Sequence, residues 1–322
     1  MIWERPSSAK PWSPQGFERY LEHYPATLWS VPPAQLDRTR AFLALWWAAE
    51  RRVLPTDVAV VLTPGLFAEW LPTCFRAARR AFEADGHRVL QTPVRTSRGI
   101  RAQAGMLSER ILAWLNPGER FVWCTHSRGG LDAFWALAHG SELARRCAAV
   151  VAVQPPVGPS WIADRWRGTG SAHGSRAAGD RAAPGGTTPD RTIGDRCMGL
   201  LLRRRLFRDG VRDICTDRDR AVADWLAKFS PPVPALHAVS WSLTPTSWLD
   251  SYHARLRALR PGHAHDGQFY LCDQRLPATP VVTLPALDHA QPVLGGLGLD
   301  TARLWRTLVA CAWQDASETQ TR

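Results

Sequence analysis

The chain has 322 residues, is 45% hydrophobic with 16 Trp, and carries a formal net charge of +11 at pH 7. That length suits one large α/β domain with an insertion or two modest domains, the apolar content is ample for a core, and no apolar run reaches the ~18 residues that a spanning helix needs. The positive charge is almost all Arg, with Lys only at Lys10 and Lys228; it is spread along the chain without a helix-turn-helix, zinc-finger or RNA-binding signature, which argues against a nucleic-acid binder and stays compatible with an acidic membrane surface or an anionic acyl carrier.

Residues 1–54 read as an N-terminal arm, rich in Pro and aromatics over 1–33, followed by a helix whose apolar face includes Leu36, Phe42, Leu43 and Trp46. The opening run, broken by Pro and Glu4, lacks the apolar core of a secretory leader. From residue 57 strands and helices alternate. Residues 57–62 (DVAVVL) read as a buried strand, 73–84 as a helix stopped at Asp85-Gly86, and 87–92 as a second strand. A helix over 100–115 closes at Asn116-Pro117-Gly118, a strand covers 120–124, a helix 129–138 and a strand 148–153. Such alternation predicts a mainly parallel sheet with helices on both faces, whose ligands sit outside the carboxyl ends of the strands.

The alternation stops at Gln154-Pro155-Pro156, and 156–232 read as an inserted helical cap or lid. Within it, residues 167–192 are Gly, Ser, Ala, Arg and Pro, too poor in apolar surface to offset the entropy of ordering, and are expected to be mobile. Residues 197–214 combine Leu201, Leu202, Leu206 and Phe207 with Arg203, Arg204, Arg205 and Arg208, a basic amphipathic helix that suits either a membrane-facing lid or a helix packed on the core. The sheet domain resumes over 233–322, with a strand at 234–241, a helix at 246–259, a strand at 280–284 and a helix at 301–313.

The residues that carry chemistry are Thr125-His126-Ser127-Arg128-Gly129-Gly130, placed between an apolar strand and an apolar helix. A serine on so sharp a turn is exposed above the sheet edge, small neighbours let strand and helix pass closely, and the helix N-terminus favours developing negative charge. This run resembles the nucleophile elbow of the α/β-hydrolase family, in its lipase and esterase branch, with Thr125 where the family usually has Gly. The resemblance covers roughly 55–155 and 233–315. It implies the chain order nucleophile, acid, histidine, a serine activated by a neighbouring base, and main-chain donors for the oxyanion.

On that resemblance Ser127 is the expected nucleophile and His289, in the loop after the last strand, its base; His263 and His265 compete but do not directly follow a strand. The expected acid is Asp266, in an Asp-Gly pair like that of many bacterial lipases, with Asp250 and Asp273 as alternatives; Asp288 adjoins His289 and is expected to point away. The expected oxyanion donors are the backbone N–H groups of Arg128 and Leu66, with Phe67 in reserve. No phosphate loop, GxGxxG, HExxH or metal-spaced His/Cys cluster occurs, so no cofactor and no metal is expected. Seven scattered Cys without CxxC spacing point to reduced thiols in a cytoplasmic setting. The expected activity is hydrolysis of a small-molecule acyl ester with an apolar acyl chain through a Ser-His-Asp triad and an acyl-enzyme. The alternatives are an acyltransferase or thioesterase acting on a carrier- or CoA-linked acyl group, and an inactive binding protein on the same fold.

Overall fold

The computed structural model describes residues 13, 16–17, 32–48, 54–167, 208–242, 252–296 and 298–320. Six strands, β1 (Ala59–Thr63), β2 (Val89–Gln91), β3 (Phe121–His126), β4 (Cys147–Val153), β5 (Ala235–Ser240) and β6 (Val281–Leu284), form one parallel sheet in the order β2-β1-β3-β4-β5-β6. The described helices are α1 (Thr39–Trp47), α2 (Arg76–Ala84), α3 (Ile100–Trp114), α4 (Arg128–His139), α5 (Ser141–Arg146), α6 (Trp161–Arg167), α7 (Arg208–Arg212), α8 (Arg220–Lys228), α9 (His253–Leu259), α10 (Gln291–Leu294) and α11 (Thr301–Gln320).

Apolar runs rather than apolar–polar alternation build these strands because the sheet is covered on both faces. Val60, Leu62, Val122 and Cys124 pack with Phe42, Phe82 and Trp305 of α1, α2 and α11. Their neighbours Ala59, Val61, Phe121 and Trp123 pack with Ile100, Leu107, Leu131 and Phe134 of α3 and α4. Burying one such large apolar side chain contributes about 1.5–3 kcal/mol. The β6 edge is closed by the approach to α1, where Arg38 N–H donates to Val281 O and Val281 N–H to Leu36 O, each at 2.8 Å.

The elements differ from the sequence reading at several ends. Helix α2 starts at Arg76 because Phe75 adopts a left-handed conformation (φ 62°), donates its N–H to Val293 O at 3.0 Å and packs on Trp305. Helix α11 runs past Trp313 to Gln320, since no Gly or Pro interrupts 314–320. Of the helix expected over 246–259, only α9 is among the described residues; 243–251, including Asp250, lie outside them, as do 168–207 and most of the N-terminal arm. The described C-terminal part of the insertion joins the sheet's own packing. Val211, Ile214, Val222 and Leu226 share the apolar layer of α3 and α4, and Trp225 meets Trp135 edge-on at 4.7 Å. A crossover between the parallel neighbours β4 and β5 must cover one sheet face, and α8 does so.

Candidate active site

Strand β3 ends at His126, and Ser127 turns the chain into α4 with φ 53° and ψ −135°. A non-glycine residue held there costs on the order of 1–3 kcal/mol, so its surroundings must impose it. Ser127 N–H donates to Val153 O and Gly130 N–H to Ser127 O, both at 2.9 Å. Glycine is required on both sides of the elbow. A Cβ at Gly129 would lie 2.6 Å from the carbonyl oxygens of Thr63 and Pro64, and one at Gly65 would lie 2.7 Å from Ser127 Cβ. Gly130 is needed for a different neighbour, since a Cβ there would lie 2.8 Å from Pro155 Cβ but only in ordinary contact, 3.4 Å, with Thr125 Oγ1.

The loop after β6 brings the imidazole of His289 to this serine. His289 Nδ1–H donates to Asp266 Oδ2 at 2.8 Å, which leaves Nε2 to accept from Ser127 Oγ at 2.9 Å. Asp266 is fully buried, while Ser127 and His289 keep a small opening to solvent. The other carboxylate oxygen, Asp266 Oδ1, accepts from the N–H groups of Gln268 and Phe269 at 2.8 Å each. His289 N–H donates to Asp266 O at 2.9 Å, so the acid and histidine loops are joined through main chain as well as side chain.

The other sequence candidates stand elsewhere. Asp288 Oδ1 accepts from Ala290 and Gln291 N–H and so shapes the turn into α10. Asp273 faces Gly158, and burial pushes its carboxyl up to about 6, with Arg260 and Arg218 opposing. His265 lies against His253, with ring centroids 4.3 Å apart, and His263 against Tyr270.

A polar network that sequence reasoning missed lies under the histidine loop. His126 Nε2 faces two acceptors, His289 O at 2.7 Å and Gln154 Oε1 at 3.1 Å, and therefore carries the proton. Burial, then the neighbouring His289, pushes the His126 imidazole down to about 3, so it stays neutral. Gln154 Nε2 donates to Asp288 O at 2.9 Å and to Ser240 Oγ, and Ser240 Oγ donates to Leu287 O at 2.9 Å. Gln274 in turn bonds both main-chain groups of Ser240.

On the other side of Ser127, the Leu66 N–H has no acceptor among the described residues, whereas Phe67 N–H donates to Thr96 Oγ1 at 2.7 Å. Arg128 N–H is the first of α4 and has no intrahelical partner. The Arg128 guanidinium is buried beside Asp132, with Nη2 donating to Oδ1 at 3.0 Å and Asp213 Oδ2 3.6 Å away. Aromatic rings line this side: Phe67 stacks on Trp70 and meets Trp166 edge-on, and Trp166 Nε1–H donates to Tyr252 Oη at 2.7 Å. Asp164, Cys215 and Asp217 have ligand atoms within 4.8 Å of one another. Arg167 already pairs with Asp217, and burial pushes the Asp164 carboxyl and the Cys215 thiol up, both of which oppose a cation.

No protein-family model and no curated protein sequence matches the chain. Solved structures do match. A metagenomic carboxyl esterase is 19% identical, with a TM-score of 0.61 over 82% of this chain and 77% of that one. The mature form of a Bacillus licheniformis lipase is 14% identical, with a TM-score of 0.53 over 85% of this chain and 95% of that one. Phospholipase PlaB from Legionella pneumophila, in complex with thio-NAD, is 11% identical, with a TM-score of 0.51 over 81% of this chain and 60% of that one. At such identities the likeness is one of fold, and it agrees with the six-stranded parallel sheet covered on both faces. The chain has the α/β-hydrolase fold.

Proposed function

We propose that this protein is a serine hydrolase that cleaves carboxylic esters through an acyl-enzyme. The observation that carries this reading is one imidazole bonded at once to a hydroxyl on a strained strand-to-helix turn and to a buried carboxylate. A serine hydroxyl is a poor nucleophile near neutral pH and needs such a base. Ser127 Oγ attacks the ester carbonyl as its proton passes to His289 Nε2, and Asp266 holds the ring in the tautomer that allows this and stabilises the imidazolium. The amides of Leu66 and Arg128 receive the charge that develops on the carbonyl oxygen. His289 then gives its proton to the departing alkoxide, leaving an acyl ester on Ser127. Water adds to that ester as His289 takes one of its protons, and collapse returns the proton to Ser127 and releases the acid.

The rings of Phe67, Trp166 and Phe269 around the site, with Phe269 5.0 Å from His289, favour an apolar acyl chain. We read the insertion, whose α6 brings Trp166 against Phe67, as a cover over this side. The described cysteines are all free thiols, in keeping with a cytoplasmic setting. The test is labelling with a fluorophosphonate followed by mapping of the modified residue, alongside hydrolysis of p-nitrophenyl esters of graded chain length. Ser127 is expected to carry the label, and Ser127→Ala to lower kcat by about 10⁶-fold. Modification at any other residue, or turnover that survives Ser127→Ala, overturns the reading.

A further inference from the structure

The loop after β1 is held by a relay that neither the fold nor the triad demands. Thr96, fully buried in the loop after β2, offers two donors to one carboxylate: its N–H reaches Glu69 Oε1 at 2.8 Å and its Oγ1–H reaches Glu69 Oε2 at 3.0 Å. With its only proton committed to Glu69, the hydroxyl turns a lone pair to the Phe67 N–H, 2.7 Å away. Phe67 is left-handed, with φ 66° and ψ 1°, a conformation that costs a bulky residue about 1–2 kcal/mol. The preceding residue but one, Gly65, lies so close to Ser127 that a Cβ would come within 2.7 Å of the serine Cβ. Leu66 is thus strung between two fixed points, and its N–H, like that of Gly65 before it, has no acceptor among the described residues, whereas the Phe67 N–H is taken by Thr96.

We propose that Thr96, oriented by Glu69, is a positioning residue that presents the Leu66 amide to the substrate oxyanion by locking Phe67 in its left-handed conformation. The inference rests on the ester-hydrolase reading above. Without the Thr96 hydroxyl, Phe67 relaxes toward negative φ, the Leu66–Phe67 peptide rotates, Leu66 readjusts and turns the Gly65–Leu66 peptide with it, and the N–H that this second peptide carries leaves the position that the oxyanion takes. Losing an oxyanion donor outright costs about 10²–10³ in kcat; Thr96 touches no reacting atom, so its removal costs less than that ceiling.

The experiment compares Thr96→Val, Thr96→Ser and Glu69→Gln in the full chain, with kcat normalised to sites titrated by a phosphonate. Thr96→Val keeps the shape and removes the hydroxyl, and is expected to lower kcat by about 10–100-fold with KM within about 3-fold. Thr96→Ser restores kcat to within about 3-fold of the parent, and Glu69→Gln, on an exposed side chain, gives an intermediate loss. Inhibition by a trifluoromethyl ketone, which forms a tetrahedral adduct with a charged oxygen, weakens by the same factor as kcat/KM falls; a purely structural role would leave that ratio unmoved. Glu69→Gln carries the test by itself if Thr96→Val does not fold. Equal kcat per titrated site in parent and variants, a loss confined to KM, or Thr96→Ser as impaired as Thr96→Val overturns the proposal while labelling at Ser127 stands. A parent without Ser127-dependent turnover overturns the ester-hydrolase reading, and this inference falls with it.

Discussion

The two sides of Ser127 are fastened by different means. On the histidine side, the loop of 285–291 is bonded at Leu287 O by Ser240, at Asp288 O by Gln154, at His289 O by His126 and at His289 N–H by Asp266 O. On the proposed oxyanion side, the turn over residues 64–67 is tied by the Thr96 hydroxyl at Phe67 N–H, by the local bond from Trp70 N–H to Phe67 O at 3.1 Å, and by close packing on Ser127. A densely bonded side tolerates loss of a single bond in geometry but not in stability, because buried polar groups are left unpaired. A sparsely bonded side does the reverse: one bond decides where an amide points, while the fold hardly feels it. Substitutions on the first side should therefore divide between chemistry and stability according to the atom they touch, whereas those on the second should act on turnover.

Beyond removal of the Ser127 hydroxyl itself, the largest expected effect is that of Asp266→Asn. The Asn oxygen retains the bonds from Gln268 and Phe269 N–H, so the loop keeps its shape. The amide NH₂ then faces His289 Nδ1, which must accept, and the ring proton moves to Nε2, where it can no longer take the proton of Ser127. A fall in kcat of about 10⁴-fold with little change in thermal stability is expected, measured by ester hydrolysis and calorimetry. Comparable activity in Asp266→Asn, with loss in Asp273→Asn, would move the acid role to Asp273.

Gln154→Leu attacks the same side through its scaffold. It removes the partner of Asp288 O and Ser240 and one of the two acceptors of His126. Leaving such buried groups unsatisfied costs about 1–3 kcal/mol each, so a lower midpoint in urea is expected. The remaining bonds to His126, Ser240 and Asp266 still hold the loop, and kcat per titrated site stays within about 10-fold. A variant with parental stability but with turnover as low as that of Asp266→Asn would contradict the proposed division between scaffold and chemistry.

Much of the strand–helix order was legible from residues 57–153, because strands buried on both faces write themselves as unbroken apolar runs such as Ala148 to Val153. The elbow was legible because its glycines are steric requirements: Gly129 meets the carbonyls of Thr63 and Pro64. Asp266-Gly267 suggests a turn, which Oδ1 closes, and the acid proposed for it rests on Oδ2 facing His289 Nδ1. Gln154, Ser240 and Gln274 were not legible, since their partners lie on strands and loops far apart in the chain and a buried amide leaves no periodic trace. For Gln154 and Ser240 the signal is position: each stands at the carboxyl end of a buried parallel strand, the edge where ligands bind. Helix α8 falls inside the 156–232 insertion, and its Val222 and Leu226, one turn apart, form an apolar face that packs with the layer of α3 and α4.

The two sides meet at Arg128, whose amide faces the proposed oxyanion while its guanidinium is buried against Asp132. Burial, opposed by Arg128 and reinforced by Asp213, pushes the Asp132 carboxyl up to about 7. The unfolded chain ionises this group near pH 4, so the native state binds the proton more tightly between about pH 4 and 7. Its contribution to stability therefore falls as pH rises through that window and levels off above it. Asp132→Asn removes this contribution, and thermal midpoints measured from pH 4 to 8 should decline less steeply than in the parent. Turnover per titrated site is expected to change least of all the variants here, within about 3-fold, because what Arg128 lends to the oxyanion is main chain and the first turn of α4 still holds it. If the parental slope persists in Asp132→Asn, the ionisation that weakens the fold belongs to another buried acid, such as Asp273; if turnover falls by 100-fold, the guanidinium and not only the amide of Arg128 supports the oxyanion side, and the separation of chemistry from scaffold fails at the point where the two sides join.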